Sequence, residues 1–244
     1  MTDVAEAARQ AVAMIVSLDP DLVEIVLLSL RISLMAMTLA TLLGLPLGAC
    51  LAVVRFPGRQ AILVALNALM GLPPVVVGLI VYLMLSRAGP FGVLGLLYTP
   101  TAMVIAQTLL IAPIIAALSR QTIADLLLEY DEQLRSLGAG RWDLTLTLLW
   151  DGRFSLLTPL LAGFGRASAE VGAVMIVGGN IDHVTRVMTT AIALEVSKGD
   201  LALALGLGMI LITLTLLINA AAYLINDLAR AGAIRPPRRG SRRP

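Results

Sequence analysis

The sequence predicts an all-α integral membrane protein with about five transmembrane helices. Of its 244 residues, 58% are hydrophobic and only 14% are charged, and the mean hydropathy is +0.91. An ordinary soluble domain carries roughly 25% charged residues. A water-soluble fold of this length has no core large enough to hide so much apolar surface. The excess is therefore expected to face lipid.

Five stretches are long and apolar enough to cross a bilayer, which takes about 20 residues at about 1.5 Å of rise per residue. Four of them contain no charged residue, whereas the fourth carries Arg166 and Glu170. The predicted spans are residues 32–54, 61–86, 98–118, 154–177 and 201–226. They define a transmembrane domain over residues 32–226.

The N-terminal residues 1–31 are predicted to form an extracytoplasmic or interfacial segment. Their first residues are acidic where a secretory signal is basic, and the apolar run 11–18 is too short to span. Glu24 and Arg31 favour an interfacial position for residues 19–30.

The distribution of Lys and Arg predicts the orientation, because cytoplasmic loops retain these residues. Four such residues lie on the opposite side: Arg9, Arg87, Arg186 and Lys198. The N-terminus is therefore predicted outside and the C-terminus in the cytoplasm. The cytoplasmic set is Arg55, Arg59, Arg120, Arg135, Arg141, Arg153, Arg230, Arg235, Arg238, Arg239, Arg242 and Arg243.

Residues 227–244 form a basic cytoplasmic tail that ends RPPRRGSRRP. A basic segment just inside a membrane more often reflects topology and contact with anionic lipid than nucleic-acid binding. We therefore expect membrane lipid, and no nucleic acid, among the partners.

The loop of residues 119–153 is far longer than a minimal connection between helices. Its apolar residues recur at near-helical spacing, and Gly138 is suited to end a helix because glycine accepts the left-handed conformation. A second helix can restart near residues 141–143. The loop is thus predicted to be a short helix-turn-helix on the cytoplasmic surface.

The segment EQLRSLGAG in this loop resembles the coupling motif of binding-protein-dependent ABC importer permeases, a Glu-Ala-Ala stretch followed by Gly. Gln133 and Leu134 stand in place of the two alanines. The resemblance implies the type I ABC importer permease fold and docking of this loop on an ATPase subunit. An ordinary solvated surface helix is the alternative. The residues implied in coupling are Glu132, Arg135, Leu137, Gly138 and Ala139.

Three further segments resemble the oxyanion group of these importers. They are GLPPVVVGL, GFGRASAEVGAVMIVGGNI and TRVMTTAIALEVSKGDLALALGLG. The likeness is to tungstate importer permeases, with molybdate and sulfate permeases as relatives. It implies a homodimer in a bacterial inner membrane, two cytoplasmic ATPase subunits that hold ATP and Mg, and an extracytoplasmic oxyanion-binding protein. Import would proceed by alternating access.

Four residues are candidates for the translocation pathway or its gate. Arg166 and Glu170 are four apart, so we expect them to pair, and an intramembrane charge is expensive to keep. Pro73 and Pro74 remove backbone donors in the middle of the second span and must interrupt it. The alternatives are a helix-packing salt bridge and a structural kink, with Gly71 and Gly78 allowing close helix approach.

The outer segment 178–200 contains several polar residues around an amphipathic stretch. By resemblance it lies under the docked binding protein, with Asn180, Asp182 and Arg186 as contact residues. A re-entrant or interfacial helix is the alternative.

The chain offers little for catalysis or metal binding. Cys50 and His183 are its only cysteine and histidine, so a zinc or iron–sulfur site is not expected. No GxxxxGK[ST] loop is present, so ATP hydrolysis is assigned to a partner and no cofactor to this chain. One alternative is an intramembrane hydrolase with Ser168 as nucleophile and His183 as base, although no GxSxG turn occurs. Another is a passive channel.

Overall fold

The structure is a computed structural model that describes the backbone of residues 4–233 and the side chains of residues 5–225. In this part of the chain there are ten α-helices, one short 3₁₀ turn at Gly92–Leu94 and no β-strand, which confirms the predicted all-α class. Most of the predicted basic tail, residues 234–244, lies outside the described residues. The helices are α1 Val4–Val16, α2 Pro20–Val53, α3 Arg59–Met70, α4 Pro74–Leu85, α5 Pro100–Ser136, α6 Arg141–Asp151, α7 Leu157–Ser168, α8 Gly172–Gly178, α9 Met188–Lys198 and α10 Leu201–Ala233.

Three helices, α2, α5 and α10, are long and apolar enough to cross a membrane alone. Two further spans are bent pairs: α3 and α4 meet at 101°, and α7 and α8 meet at 56°. Counting each pair as one span gives five, in agreement with the prediction.

The centre of the bundle is the contact between α2 and α5, which run parallel. Gly44 and Gly48 lie four residues apart on one face of α2, and small residues at this spacing let helix backbones approach closely. A Cβ on Gly48 would lie 2.4 Å from the carbonyl oxygen of Ala116, and one on Gly44 would lie 3.0 Å from that of Ala112. The two backbones therefore touch where glycine permits it.

Helix α2 begins at Pro20 and continues without a break through residue 31, so the predicted interfacial residues and the first span form one helix. Asp19 caps it by accepting from Leu22 N at 3.3 Å, and proline suits the first helical position. The charged Glu24 and Arg31 do not interrupt it because both side chains are exposed.

Helix α5 differs from the prediction, because the third span and the first arm of the predicted helix-turn-helix are one helix of 37 residues. The chain has no glycine between Pro100 and Gly138, and the internal Pro113 does not end the helix. The apolar residues from which a separate surface helix was predicted belong to the C-terminal part of α5. Its partly buried Leu126, Leu127, Tyr130 and Leu134 pack against the buried Leu144 and Leu148 of α6.

One end of the bundle carries Arg55, Arg59, Arg120 and Arg153, which follow the apolar parts of α2 and α5 and precede α7, and we call it the basic end. The opposite end carries α1, α9 and the 179–187 loop. Helix α1 packs on α10, where Ala11 is fully buried beside Gly206.

Candidate functional site

The second span breaks at Pro73 and Pro74, as predicted. Helix α3 ends at Met70 and α4 begins at Pro74, with the Pro73 carbonyl accepting from Val76 N at 3.0 Å. Proline has no N–H, so the α-helical hydrogen bonds cannot run through this point. The bend of 101° is much larger than a kink within one helix and makes the pair a broken or re-entrant span.

The fourth span is also broken, at residues 169–171, where a continuous helix was predicted. Glu170 starts the second piece, because its Oε1 accepts a 3.0 Å hydrogen bond from Ala173 N. Its own carbonyl accepts from Thr189 Oγ1 at 2.8 Å. On the other side of the break, the carbonyl of Ala167 accepts from Gln107 Nε2 at 3.3 Å. Side chains of α5 and α9 thus satisfy the backbone that the break leaves open.

Arg166 and Glu170 form the predicted ion pair across this break, with Arg166 Nη1 and Glu170 Oε2 3.2 Å apart. They do not share one helix, because α7 ends at Ser168. The Glu170 side chain is 3% exposed and that of Arg166 is 33% exposed. The carboxylate is therefore buried and held from several sides, while the guanidinium opens to the surface of the single chain. The role of this pair in transport stays a prediction.

The two broken spans meet directly. A Cβ on Gly172 would lie 2.7 Å from Val75 Cγ2, so the residue after the proline pair touches the residue that begins α8. One helical turn later, a Cβ on Gly78 would lie 2.7 Å from Ala173 Cα. Gly78 therefore does allow close helix approach. At Gly71, by contrast, an added Cβ would contact only the Ala68 carbonyl oxygen of the preceding helix α3, at 3.6 Å.

A small chamber, mostly apolar but with several polar side chains in its lining, lies beside the fourth-span break. Gln107 is 4% exposed, and its Oε1 has no hydrogen-bond partner among the described residues. Ser29 connects the chamber to α9, because its hydroxyl accepts from Met188 N at 2.6 Å. Sequence reasoning missed Gln107, Thr189 and Ser29. The available signal was a polar side chain inside an apolar span, which requires a partner when buried. The other polar lining residues are Ser33, Ser168 and Thr215.

The turn at Gly138 has the predicted left-handed glycine, with φ of +83°. Gly138 N donates to Arg135 O at 2.9 Å and Ala139 N donates to Leu134 O at 3.0 Å. This pair of bonds is the Schellman pattern of helix termination. Helix α6 then restarts after Gly140, whose N–H donates to the Asp143 carboxylate at 3.0 Å. We call the end of α5 together with α6 the Gly138 hairpin.

The Gly138 hairpin has one face anchored in the bundle and one face free. Leu144 and Leu148 are at most 1% exposed and pack with Ile123. Four large apolar side chains are instead mostly exposed: Leu128, Leu137, Trp142 and Trp150. Exposed apolar patches rimmed by polar residues are typical of interaction surfaces.

The five predicted coupling residues all lie at or beside this turn. Glu132, Arg135, Leu137 and Gly138 are exposed, whereas Ala139 is partly buried against the bundle. Arg135 pairs with Asp131 at 2.6 Å within its own helix.

The 179–187 loop holds the predicted docking residues in a strained turn, since Asn180 and His183 have φ of +50° and +55°. The hydroxyl of the buried Thr185 stabilises the loop by donating to Gly178 O at 2.6 Å. Arg186 Nη1 lies 2.7 Å from Asp182 Oδ1, with the arginine side chain only 17% exposed and the aspartate 58% exposed. Asn180 donates to Thr190 O at 3.4 Å. Asp182 is therefore the outward-facing member of the three.

His183 connects this loop to α2, because its Nδ1 lies 2.9 Å from Glu24 Oε2. The hydrogen bond and charge of Glu24 raise the pKa of His183, and Asp182 and Asp21 add to this effect. Within the described chain, neither ring nitrogen of His183 bonds to Ser168. The arrangement that a Ser168 and His183 hydrolase would need is therefore not formed.

The structure is that of an α-helical membrane protein in which two broken spans adjoin. Breaks and paired charges within spans are typical of transport proteins. The chain belongs to the family described as the binding-protein-dependent transport system inner membrane component, whose model matches residues 44–231. The type I ABC importer permease fold is thereby confirmed, as is an inner-membrane location.

Curated relatives extend the comparison. The chain is 39% identical to the tungstate uptake system permease protein TupB of Peptoclostridium acidaminophilum over 93% of this chain and 100% of the relative. It is 38% identical to a probable anion ABC transporter permease protein of Haloferax volcanii over 74% and 80% of the two chains. Identity to the molybdenum transport system permease protein ModB of Escherichia coli is 31% over 68% and 76%.

Proposed function

We propose that this chain is the membrane-spanning subunit of an ATP-driven importer that carries tungstate into the cytoplasm. The observation that carries the proposal is the 39% identity, along the whole length of the relative, to a tungstate uptake permease. Identity to a molybdenum permease is lower and covers less of this chain. Molybdate and sulfate are the alternative substrates.

The proposed route follows the meeting point of the two broken spans. Arg166 presents its partly exposed guanidinium there, and a charge in a span is costly against lipid. A second copy of the chain would cover this face, so we infer a homodimer with the route between the two copies. Arg166 would supply positive potential for a dianion. Glu170 would fix the arginine side chain.

Energy for transport is proposed to come from a pair of cytoplasmic ATPase subunits that bind ATP and Mg. Each would receive one Gly138 hairpin, whose apolar side chains are exposed and whose base is packed into the bundle. Because α5 is one helix from Pro100 to Ser136, a displacement of the hairpin would move the centre of the bundle with it. ATP binding and hydrolysis would thereby bias two arrangements of the spans.

The proposed orientation places the basic end in the cytoplasm and the 179–187 loop outside. An extracytoplasmic oxyanion-binding protein would dock over this loop, with Asp182 as its exposed contact. Asn180 and Arg186 would hold the docking surface in shape through their bonds to Thr190 and Asp182.

The experiment is reconstitution in proteoliposomes. The chain is co-purified with a candidate ABC ATPase from the same organism, and a candidate oxyanion-binding protein is supplied on the outer side. Internal tungsten is then measured after addition of tungstate, with molybdate and sulfate as competitors. Tungsten uptake that requires both ATP and the binding protein, and that excess molybdate or sulfate inhibits only weakly, supports the proposal. Preferred transport of molybdate or sulfate would move the substrate assignment, and flux without ATP would indicate a passive channel.

A further inference from the structure

A second groove, separate from the fourth-span break at residues 169–171, lies at the basic end of the bundle. It opens between α2 and the start of α7, and its volume is about 400 Å³. Its walls are apolar side chains, among them Leu42, Leu45, Leu156 and Leu160, and one cation, Arg153, stands in its lining.

The depth of the groove follows from the packing of α2 on α5. A Cβ on Gly48 would lie 3.0 Å from Arg120 N, and Arg120 is the first charged residue after the apolar part of α5. The groove residue Pro46 thus lies near the membrane boundary, and Leu42 lies about 6 Å deeper along the helix. The groove therefore runs from the boundary into the hydrocarbon region.

Arg153 lies at this boundary, where its exposed side chain contacts two aromatic rings and one carbonyl. Its guanidinium carbon lies 4.8 Å from the ring centre of Trp150 and 4.6 Å from that of Phe154. Its Nη1 donates to Trp150 O at 2.6 Å. No carboxylate within the described residues forms an ion pair with Arg153, although Asp151 is its near neighbour in the chain. Most of its five N–H donors are therefore free.

We propose that this groove and Arg153 form a binding site for an anionic phospholipid. One acyl chain lies in the groove along Leu42 and Leu45, and the headgroup phosphate accepts hydrogen bonds from the Arg153 guanidinium. Arginine suits this role because its planar fork matches phosphate geometry and stacks on aromatic faces. Basic pockets between spans at the cytoplasmic side, where the proposed orientation places this groove, recognise anionic headgroups.

The headgroup is tested by native mass spectrometry of the purified complex, with phosphatidylglycerol and phosphatidylcholine of matched acyl chains as probes. Wild type is expected to retain phosphatidylglycerol preferentially. Arg153→Gln should reduce this preference roughly tenfold, the order expected for loss of a charge-assisted hydrogen bond. Arg141→Gln, an equally exposed arginine outside the groove lining, is the control and should leave the preference unchanged.

The groove is tested with Leu42→Trp, which fills it from an exposed position, against Leu43→Trp, the exposed neighbour that lines a different cavity. Of these two tryptophan variants, only Leu42→Trp should lower retention of the lipid. Glycerol phosphate, which has no acyl chain, should not displace the lipid from wild type. Retention unchanged by both Arg153→Gln and Leu42→Trp would overturn the proposal. Displacement by glycerol phosphate would reduce the site to an anion site without a groove. If Leu42→Trp instead abolishes the dimer and leaves lipid retention unchanged, the groove binds a second copy of the chain and not a lipid.

Discussion

The hydroxyl of Thr189 donates a 2.8 Å hydrogen bond to the backbone carbonyl of Glu170. This bond joins the first turn of α9, at the end of the bundle opposite the basic end, to the break in the fourth span. The carboxylate of the same glutamate pairs with Arg166. A shift of α9 therefore acts directly on the break that holds the proposed gate residues.

We expect Thr189→Val to loosen this break. The substitution keeps the shape of the side chain and removes one hydrogen bond, whose net contribution is about 0.5–1.5 kcal/mol. Thermal unfolding in detergent should show a loss of about this size, together with slower tungstate uptake. Thr213→Val is the control, because within the described residues the Thr213 hydroxyl bonds only inside its own helix, to Met209 O. Equal effects of the two substitutions would contradict a special role for Thr189.

The Arg166 and Glu170 pair should respond asymmetrically to neutralisation. Arg166→Gln leaves a carboxylate that is only 3% exposed without its partner, and breaking a buried pair costs about 3–5 kcal/mol at most. Glu170→Gln should cost less stability, because the remaining guanidinium is one-third exposed and faces the proposed route, where water can solvate it. Thermal unfolding of both variants measures the difference.

The double variant Arg166→Gln with Glu170→Gln separates structure from transport. It should recover part of the stability lost in Arg166→Gln, since no unpaired charge stays buried. If it folds stably but still fails to take up tungstate, the charge of Arg166 acts on the route. Normal uptake in this variant would reduce the pair to a packing contact.

Gly48→Ala is expected to destabilise the protein by about 1–3 kcal/mol, the usual cost of overpacking. The new Cβ would lie 2.4 Å from the carbonyl of Ala116, which is backbone and cannot turn away. Gly208→Ala is the control, because nothing lies within 4 Å of that position. It should be neutral or slightly stabilising, since alanine favours a helix interior. Similar melting temperatures for the two variants would contradict the close α2 and α5 contact.

The contact between His183 and Glu24 predicts a pH-dependent loop. The raised pKa of His183 means that the folded protein favours its protonated form. Glu24 contributes most to this effect, and Asp182 and Asp21 add to it. The nearby cation is Arg186, which pairs with Asp182. The contribution to stability is therefore complete below the ordinary histidine pKa of about 6.5 and is lost as pH rises through the raised value.

Hydrogen exchange of the 179–187 amides, corrected for intrinsic rates, measures this effect. Protection should fall above the raised pKa in wild type and should vary little with pH in His183→Gln. Identical pH profiles in the two proteins would show that the contact does not anchor the loop.

Local chemistry determined which features were predictable from sequence. The break at Pro73 and Pro74 and the turn at Gly138 follow from the properties of single residues, and both occur as predicted. The break at residues 169–171 has no such local signal. It depends on Gln107, Thr189 and Val75, which are distant in sequence and supply the bonds and the contact around it.

The two long helices illustrate the same distinction. The start of α2 had a local signal, Asp19 followed by Pro20, although the charges at Glu24 and Arg31 suggested a boundary that the helix does not have. The end of α5 was interpreted as a separate surface helix because its apolar face resembled one. That face packs against α6 instead, which only the tertiary structure reveals. Among the candidate residues, Arg166 pairs with Glu170 as predicted, although the continuous helix assumed in that prediction is broken between them. The inward position of Arg186 had no signal in the sequence.

The central claim is that the Gly138 hairpin transmits ATP-driven motion to the spans, and Gly138→Glu in the reconstituted transporter tests it most directly. Gly58→Glu is the matched control, because Gly58 is also a left-handed glycine with open space around it and lies at the basic end. ATP-dependent tungstate uptake should fall at least about tenfold in Gly138→Glu, within the usual range of coupling energies, and should stay near wild type in Gly58→Glu. Uptake by Gly138→Glu that equals wild type, at equal ATP hydrolysis, would contradict the account.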